Sequence, residues 1–110
     1  MRRRPAAQGK KDANHAEMVK QWLSFGNTSW QDTHELTGGL DGIAGAFRIC
    51  QRVEIKNPKA AKSDQALTPA ESETFATWKG RPCVIWLTVE DVAATYRKMQ
   101  SDAMQARVYE

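Results

Sequence analysis

No stretch of the chain approaches the ~18–20 apolar residues that a membrane-spanning helix needs. The longest apolar run, Cys83-Val84-Ile85-Trp86-Leu87, has the length of a strand. Cysteine is scarce: Cys50 and Cys83 lie far apart and form no Cys-x-x-Cys pair, so they read as small buried hydrophobes in a reducing cytosol. The two histidines, His15 and His34, do not stand at ligand spacing from them, and no zinc site is expected. Gly38-Gly39 does not continue into a Gly-x-Gly-x-x-Gly or a P-loop, which argues against nucleotide binding. The basic N-terminus has no apolar stretch behind it and does not read as a secretory signal. There is no internal repeat and no low-complexity tract.

What is present fits one small globular domain. The 110 residues are 41% hydrophobic and 26% charged, an ordinary soluble composition. A domain of this size buries only about two thirds of its unfolded surface, and dimerisation would add to that. The net charge of +3 is modest, but its distribution is uneven. Arg2, Arg3, Arg4, Lys10 and Lys11 precede the first acid, Asp12, so residues 1–11 read as a basic disordered tail, either a phosphate-tracking arm or a solubilising terminus. The folded domain is expected over 12–104, with 105–110 frayed.

Periodicity predicts a helix over 12–25, capped by Asp12 or Asn14, carrying Ala16, Val19, Trp22 and Leu23 on one face and stopped by Gly26-Asn27. A weakly alternating strand follows over 29–36, then strand-like sequence from Leu40 to Asn57. A hairpin is expected near 46–50, although no Asn-Gly marks it. Residues 57–67 read as a loop. Thr68-Pro69-Ala70-Glu71 is a capping box with proline at the first helical position, opening a helix that ends near Lys79-Gly80. The run 83–87 reads as a strand buried on both faces, in the middle of a sheet. Thr88 starts a last helix with Val92, Ala93 and Tyr96 inward. The order α-β-β-β-α-β-α, with a crossover helix before the last strand, implies a small three-layer α/β sandwich with a mixed sheet.

The segment with most chemistry is Glu54-Ile55-Lys56. Residues two apart on a strand share a face, so Glu54 and Lys56 project together while Val53 and Ile55 face the core. Asp41 begins the preceding strand, and neighbouring or splayed strands can bring it to Glu54. Two converging carboxylates repel unless a cation lies between them, and oxygen-only ligation completed by water and phosphate is Mg²⁺-type. A lysine beside such a site stabilises phosphate charge or orders a water. The same tripeptide also suits a solvent-facing ion pair.

The motifs, taken in order, resemble the PD-(D/E)xK nuclease superfamily, and within it the small stand-alone VRR-NUC-like proteins of phages and prophages, over roughly residues 11–96. The resemblance rests on the first helix with Asp12-Ala13-Asn14-His15-Ala16-Glu17-Met18-Val19, on Gly38-Gly39-Leu40-Asp41-Gly42-Ile43-Ala44-Gly45, on Arg52-Val53-Glu54-Ile55-Lys56, on Leu67-Thr68-Pro69-Ala70-Glu71 leading to Trp78-Lys79-Gly80, and on the strand 83–88 followed by Val89-Glu90-Asp91-Val92. It implies a restriction-endonuclease-like fold and a Mg²⁺- or Mn²⁺-dependent endodeoxyribonuclease acting on DNA, with branched or junction DNA as substrate. Asp41, Glu54 and the backbone carbonyl of Ile55 would hold the metal, Lys56 would place the attacking water and touch the scissile phosphate, and Glu17 would match the family's additional acid, with an exposed helix glutamate as its plain alternative. The family's proline before the aspartate is Leu40 here, its hairpin glycine is Arg48, and its glutamine early in the second helix has no counterpart, Gln65 preceding that helix and Ser72 lying within it.

Lys59, Lys62 and Ser63 follow Lys56 and are candidates for DNA-backbone contact, together with Arg2, Arg3 and Arg4. His34-Glu35 reads as an edge-strand pair and Trp22, Trp30, Trp78 and Trp86 as packing residues. The expected protein is a cytosolic homodimer that binds DNA and no membrane. The alternative is a nuclease-fold adaptor or inhibitor that binds DNA or protein without catalysis.

Overall fold

A computed structural model describes residues 6–36 and 40–108. The chain is α/β with a four-stranded mixed sheet. Helix α1 spans Ala6–Ser24, strands β1, β2 and β3 span Thr28–Asp32, Gly42–Ala46 and Ile49–Ile55, and a short turn of helix, α2, spans Lys62–Gln65. Helix α3 (Pro69–Thr77), strand β4 (Val84–Trp86) and helix α4 (Val89–Val108) complete it. Apart from α2, which interrupts the segment read as a loop, the order is the expected one. Among the described residues no helix is long and apolar enough to cross a membrane.

Sheet order is β1-β2-β3-β4, antiparallel between the first three strands and parallel between β3 and β4. The parallel pairing agrees with the sequence, but β4 is an edge strand and not a central one. An apolar run reports the burial of a strand's faces and carries no information on whether its edges are paired. Helices α1 and α4 cover one face of the sheet, where Met18, Trp22, Ala44, Val53, Ile55, Trp86, Val92 and Met99 form the core. Trp86 is its centre: its ring lies 5.6 Å from Trp22 and stacks on Trp30 at 5.5 Å, and its Nε1 donates to Thr95 Oγ1 at 2.9 Å.

Several boundaries differ from the sequence reading. Helix α1 begins at Ala6, so residues 6–11 of the segment read as a tail are helical; Ala6, Ala7, Gln8, Lys10 and Lys11 are all strong helix formers. Neither Asp12 nor Asn14 therefore caps it, and Arg2, Arg3 and Arg4 lie outside the described residues, as does Gly38-Gly39. The helix does stop where expected, leaving through Gly26 and Asn27 at φ 77° and 53°. Helix α3 starts as read, with the Thr68–Glu71 capping box complete and Pro69 in its first turn. Helix α4 continues to Val108, past the expected fraying point. Cys50 is exposed and Cys83 half-buried, because strand alternation sends Cys50 to the face opposite Val53 and Ile55. Trp78 is exposed too.

The hairpin between β2 and β3 falls in the expected window. Ala46 pairs with Ile49, and Phe47 and Arg48 form a two-residue turn at φ 54° and 65°. Positive φ at both central positions is the type I′ pattern that ordinarily selects asparagine and glycine. Phe47 instead packs against Tyr96, 5.2 Å between rings.

Trp86→Ala is expected to cost about 3–5 kcal/mol in urea denaturation, whereas Leu23→Ala, on the exposed face of α1, stays within about 0.5 kcal/mol.

Candidate active site

The β2–β3 ladder ends at the Gly42–Val53 pair. Beyond it the next free donor of β3, the Ile55 N–H, is taken by a side chain: Asp41 Oδ2 accepts it at 2.7 Å. The aspartate is thereby fastened to the strand that carries Glu54 and Lys56. Its backbone is held from the other side, where Thr33 N donates to Asp41 O at 3.0 Å and Thr33 Oγ1 to Leu40 O at 2.8 Å. Leu40 is buried, so it anchors this approach by packing. Gly42 is required next to Asp41: a Cβ there would run into the Trp30 indole and stand 2.7 Å from Gln31 O.

The sequence-derived trio is brought together. Lys56 Nζ lies 3.5 Å from Glu54 Oε2, and Lys56 N donates to Trp86 O at 3.0 Å, which continues the parallel ladder one residue past β3. Asp41, Glu54 and Lys56 are all buried, with 8%, 2% and 6% of their surfaces exposed, so they are not a solvent-facing ion pair. Glu54 and Lys56 stand at the C-terminal end of the parallel pair, on the face opposite Val53 and Ile55, as strand alternation requires, and the bond to the Ile55 N–H sets Asp41 beside them.

A fourth member was read from sequence only as a helix cap. Glu71 Oε1 accepts from Thr68 N at 2.9 Å and from Lys56 Nζ at 3.0 Å. The capping-box pattern signalled the first contact. Only the crossover geometry reveals the second. A fifth is His15, which the sequence places on the first helix with no partner marked. Its Nδ1 stands 4.0 Å from Asp41 Oδ1, and its Nε2 is 3.2 Å from Asp32 Oδ1, which also accepts from Trp30 Nε1 at 2.7 Å. Trp30, and after it His15, hold the Asp32 carboxyl below its usual range despite the cost of burial. The helix residue facing Asp41 is thus His15. Glu17, two residues on, is exposed and lines an adjoining cleft of about 780 Å³ with Asn14, Lys59 and Asp64, outside the trio. Asn14 Nδ2 donates to Lys56 O at 2.9 Å, tying α1 to the end of β3.

Lys59, Lys62 and Ser63 are exposed beside that cleft or in α2. Gln65 Nε2 is occupied by Pro58 O and Ala60 O, at 3.0 and 2.8 Å. His34 and Glu35 sit 3.8 Å apart in an exposed turn after β1, not in the strand.

Electrostatics in the cluster follow from three acids sharing one ammonium group. Burial, then the charge of Asp41 and the Glu71 carboxyl, push Glu54 from its ordinary 4.5 up to about 8, against the pull of Lys56. Glu71 goes the other way: burial would raise it, but the Thr68 N–H, the Glu54 carboxyl and Lys56 together hold it low. Of the two, Glu54 is the acid pushed toward its protonated form. Burial works against the Lys56 ammonium, yet Glu71 and Glu54 outweigh it and keep it charged above its usual range.

Among the described residues no three His, Cys, Asp or Glu side chains form a ready metal cage. The donor set nonetheless fits a hard divalent cation of the kind bound by few protein ligands. It offers the carboxyl groups of Asp41 and Glu54, and Glu54 is pushed toward its protonated form by burial and then by its neighbours' charge, a proton that a cation would replace. Comparison of the chain with protein-family models, with curated proteins and with solved structures gives no match.

Without a cation, the raised Glu54 makes stability depend on pH. Between about 4.5 and about 8 the folded chain holds a proton that the unfolded chain has released, so stability falls as pH rises through that window. Glu54→Gln cannot ionise and is expected to exceed wild type by about 2–4 kcal/mol at pH 8 but by less than about 1 kcal/mol at pH 5 in metal-free urea titrations. Equal differences at the two pH values would mean that Glu54 carries no such proton.

Proposed function

We propose that the protein is a divalent-metal-dependent DNA endonuclease with a restriction-endonuclease-like fold, of the PD-(D/E)xK type and close to the small VRR-NUC-like proteins of phages. The observation that carries this reading is the Asp41 Oδ2 bond to the Ile55 N–H, which sets an aspartate from one strand beside the Glu-x-Lys of the next. A surface ion pair has no use for a second acid fastened to the same strand, whereas phosphodiester hydrolysis needs this combination of oxygen ligands and ammonium.

Asp41 and Glu54 would hold Mg²⁺ or Mn²⁺, with the Ile55 carbonyl as a further oxygen. When bound, the ion polarises the phosphate and lowers the pKa of a coordinated water. Lys56 supplies a charged donor to a phosphate oxygen, from a buried position where that interaction is stronger than in water. Glu54 must release its proton to bind the ion, so metal affinity rises with pH. Lys59 lines the cleft where the flanking DNA backbone would lie, and Lys62 and Ser63 follow it in α2. A chain of this size grips little of a duplex, and a homodimer would place two such sites on two strands, as a branched or junction substrate requires.

Cleavage of supercoiled plasmid and of a four-way junction with Mg²⁺ or Mn²⁺ tests this directly. Wild type is expected to cut, with Asp41→Ala and Lys56→Ala slower by about 10²–10³-fold or more. Equal activity in all three would identify a contaminant and sink the enzyme. Retention of DNA without cleavage would leave the adaptor. Mn²⁺ is also expected to raise the melting temperature of wild type, more at pH 8 than at pH 6, and to leave Asp41→Asn unmoved.

A further inference from the structure

Helix α3 buries none of its residues, yet its two ends reach residues on the face of β3 that carries the candidate site. Two contacts fasten it there. At its C-terminal cap the Trp78 ring lies under the Arg52 guanidinium, 4.4 Å from the centroid. At its N-terminus Glu71 Oε1 meets Lys56 Nζ at 3.0 Å. Arg52, Glu54 and Lys56 alternate along one face of β3, so α3 lies over the three of them.

The Glu71 carboxylate is unusually constrained. The same Oε1 that accepts from Lys56 accepts from Thr68 N at 2.9 Å, while Glu71 N donates to Thr68 Oγ1 at 3.2 Å. It cannot swing away without opening the capping box. A lysine ammonium, on its four-carbon stem, has no preferred direction of its own and takes the direction of its acceptors. Lys56 has two, Glu54 at 3.5 Å and Glu71 at 3.0 Å. In the proposed reaction Glu54 turns its charge to a cation. Glu71 is then the acceptor that remains.

We propose that Glu71 is the positioning residue for Lys56: its carboxylate, locked by the helix cap, holds the ammonium in the site when Glu54 is engaged elsewhere. The consequence for catalysis rests on the nuclease reading; the hold on Lys56 does not. The reading is separable from helix capping, because glutamine at the third helical position completes a capping box as glutamate does, without the charge. E71Q therefore keeps the cap and removes the charge that makes the hold on the ammonium strong, and T68A weakens the cap and keeps Glu71.

The test uses the full chain in two measurements. In a ¹H–¹⁵N spectrum of lysine ammonium groups without metal, wild type is expected to show a protected Lys56 signal, assigned by its loss in K56R. T68A retains it and E71Q loses it. In Mn²⁺-dependent cleavage, E71Q is expected to lower kcat on the order of 10–100-fold with KM for DNA within about threefold. T68A should lose activity only in proportion to its unfolded fraction. A protected Lys56 signal in E71Q, its loss in T68A, or a kcat for E71Q within about twofold of wild type each overturns the proposal. If wild type does not cleave at all, the nuclease reading fails, and the spectrum alone decides whether Glu71 holds Lys56.

Discussion

The hydrogen bond from the Ile55 N–H to the Asp41 carboxylate does the work of a missing rung in the sheet. Where β2 and β3 diverge, a buried backbone donor would be left without a partner, at a cost of about 1–3 kcal/mol. Asp41 removes that cost. The same bond determines that the acid stands beside Glu54 and Lys56. Fold stability and site geometry thus share one contact, and the Thr33 clamp on Leu40 and Asp41 supports it from the other side.

Around this bond the chain accumulates more negative charge than its one ammonium group balances. Asp41, Glu54 and Glu71 are each buried or half-buried, and burial together with this imbalance pushes the Glu54 carboxyl toward its protonated form. A structural ion pair tends toward neutrality and short, complete pairing. An excess of acid held in place by backbone donors is the arrangement expected where a cation is to be admitted. His15 extends it on the α1 side, braced by Asp32 and Trp30, so that Asp41 is faced by a ring nitrogen as well as by a backbone amide.

Much of this was legible in the sequence, for identifiable reasons. Strand alternation alone put Glu54 and Lys56 on one face and Val53 and Ile55 on the other. The capping box at Thr68–Glu71 fixed the start of α3, because both of its bonds are local. What was not legible depends on contacts between distant segments. The edge position of β4 is a matter of strand order, which hydropathy does not encode. The second contact of Glu71 needs the crossover to lie over β3. His15 was read only as part of a helix, because its partners Asp32 and Asp41 arrive from two other elements. Glu17 followed from a family pattern, and the helix phase instead turns His15 toward Asp41. The early start of α1 shows local propensity in Ala6–Lys11 prevailing over a charge pattern that suggested a tail.

The turn at Phe47-Arg48 bears on all of this from the opposite end of β3. Its backbone is one that neither residue favours, so turn chemistry alone does not select it; the ring of Phe47 against Tyr96 does. Strand pairing has a period of two, and a slip of one residue would carry Glu54 into the tryptophan core and expose Val53. Six residues of extended chain, roughly 20 Å, separate the turn from the end of the strand. The side of the sheet that becomes acidic is thus tied to register, to which the burial of Val53 and Ile55 and, from the far end, the Phe47 ring at the turn both contribute.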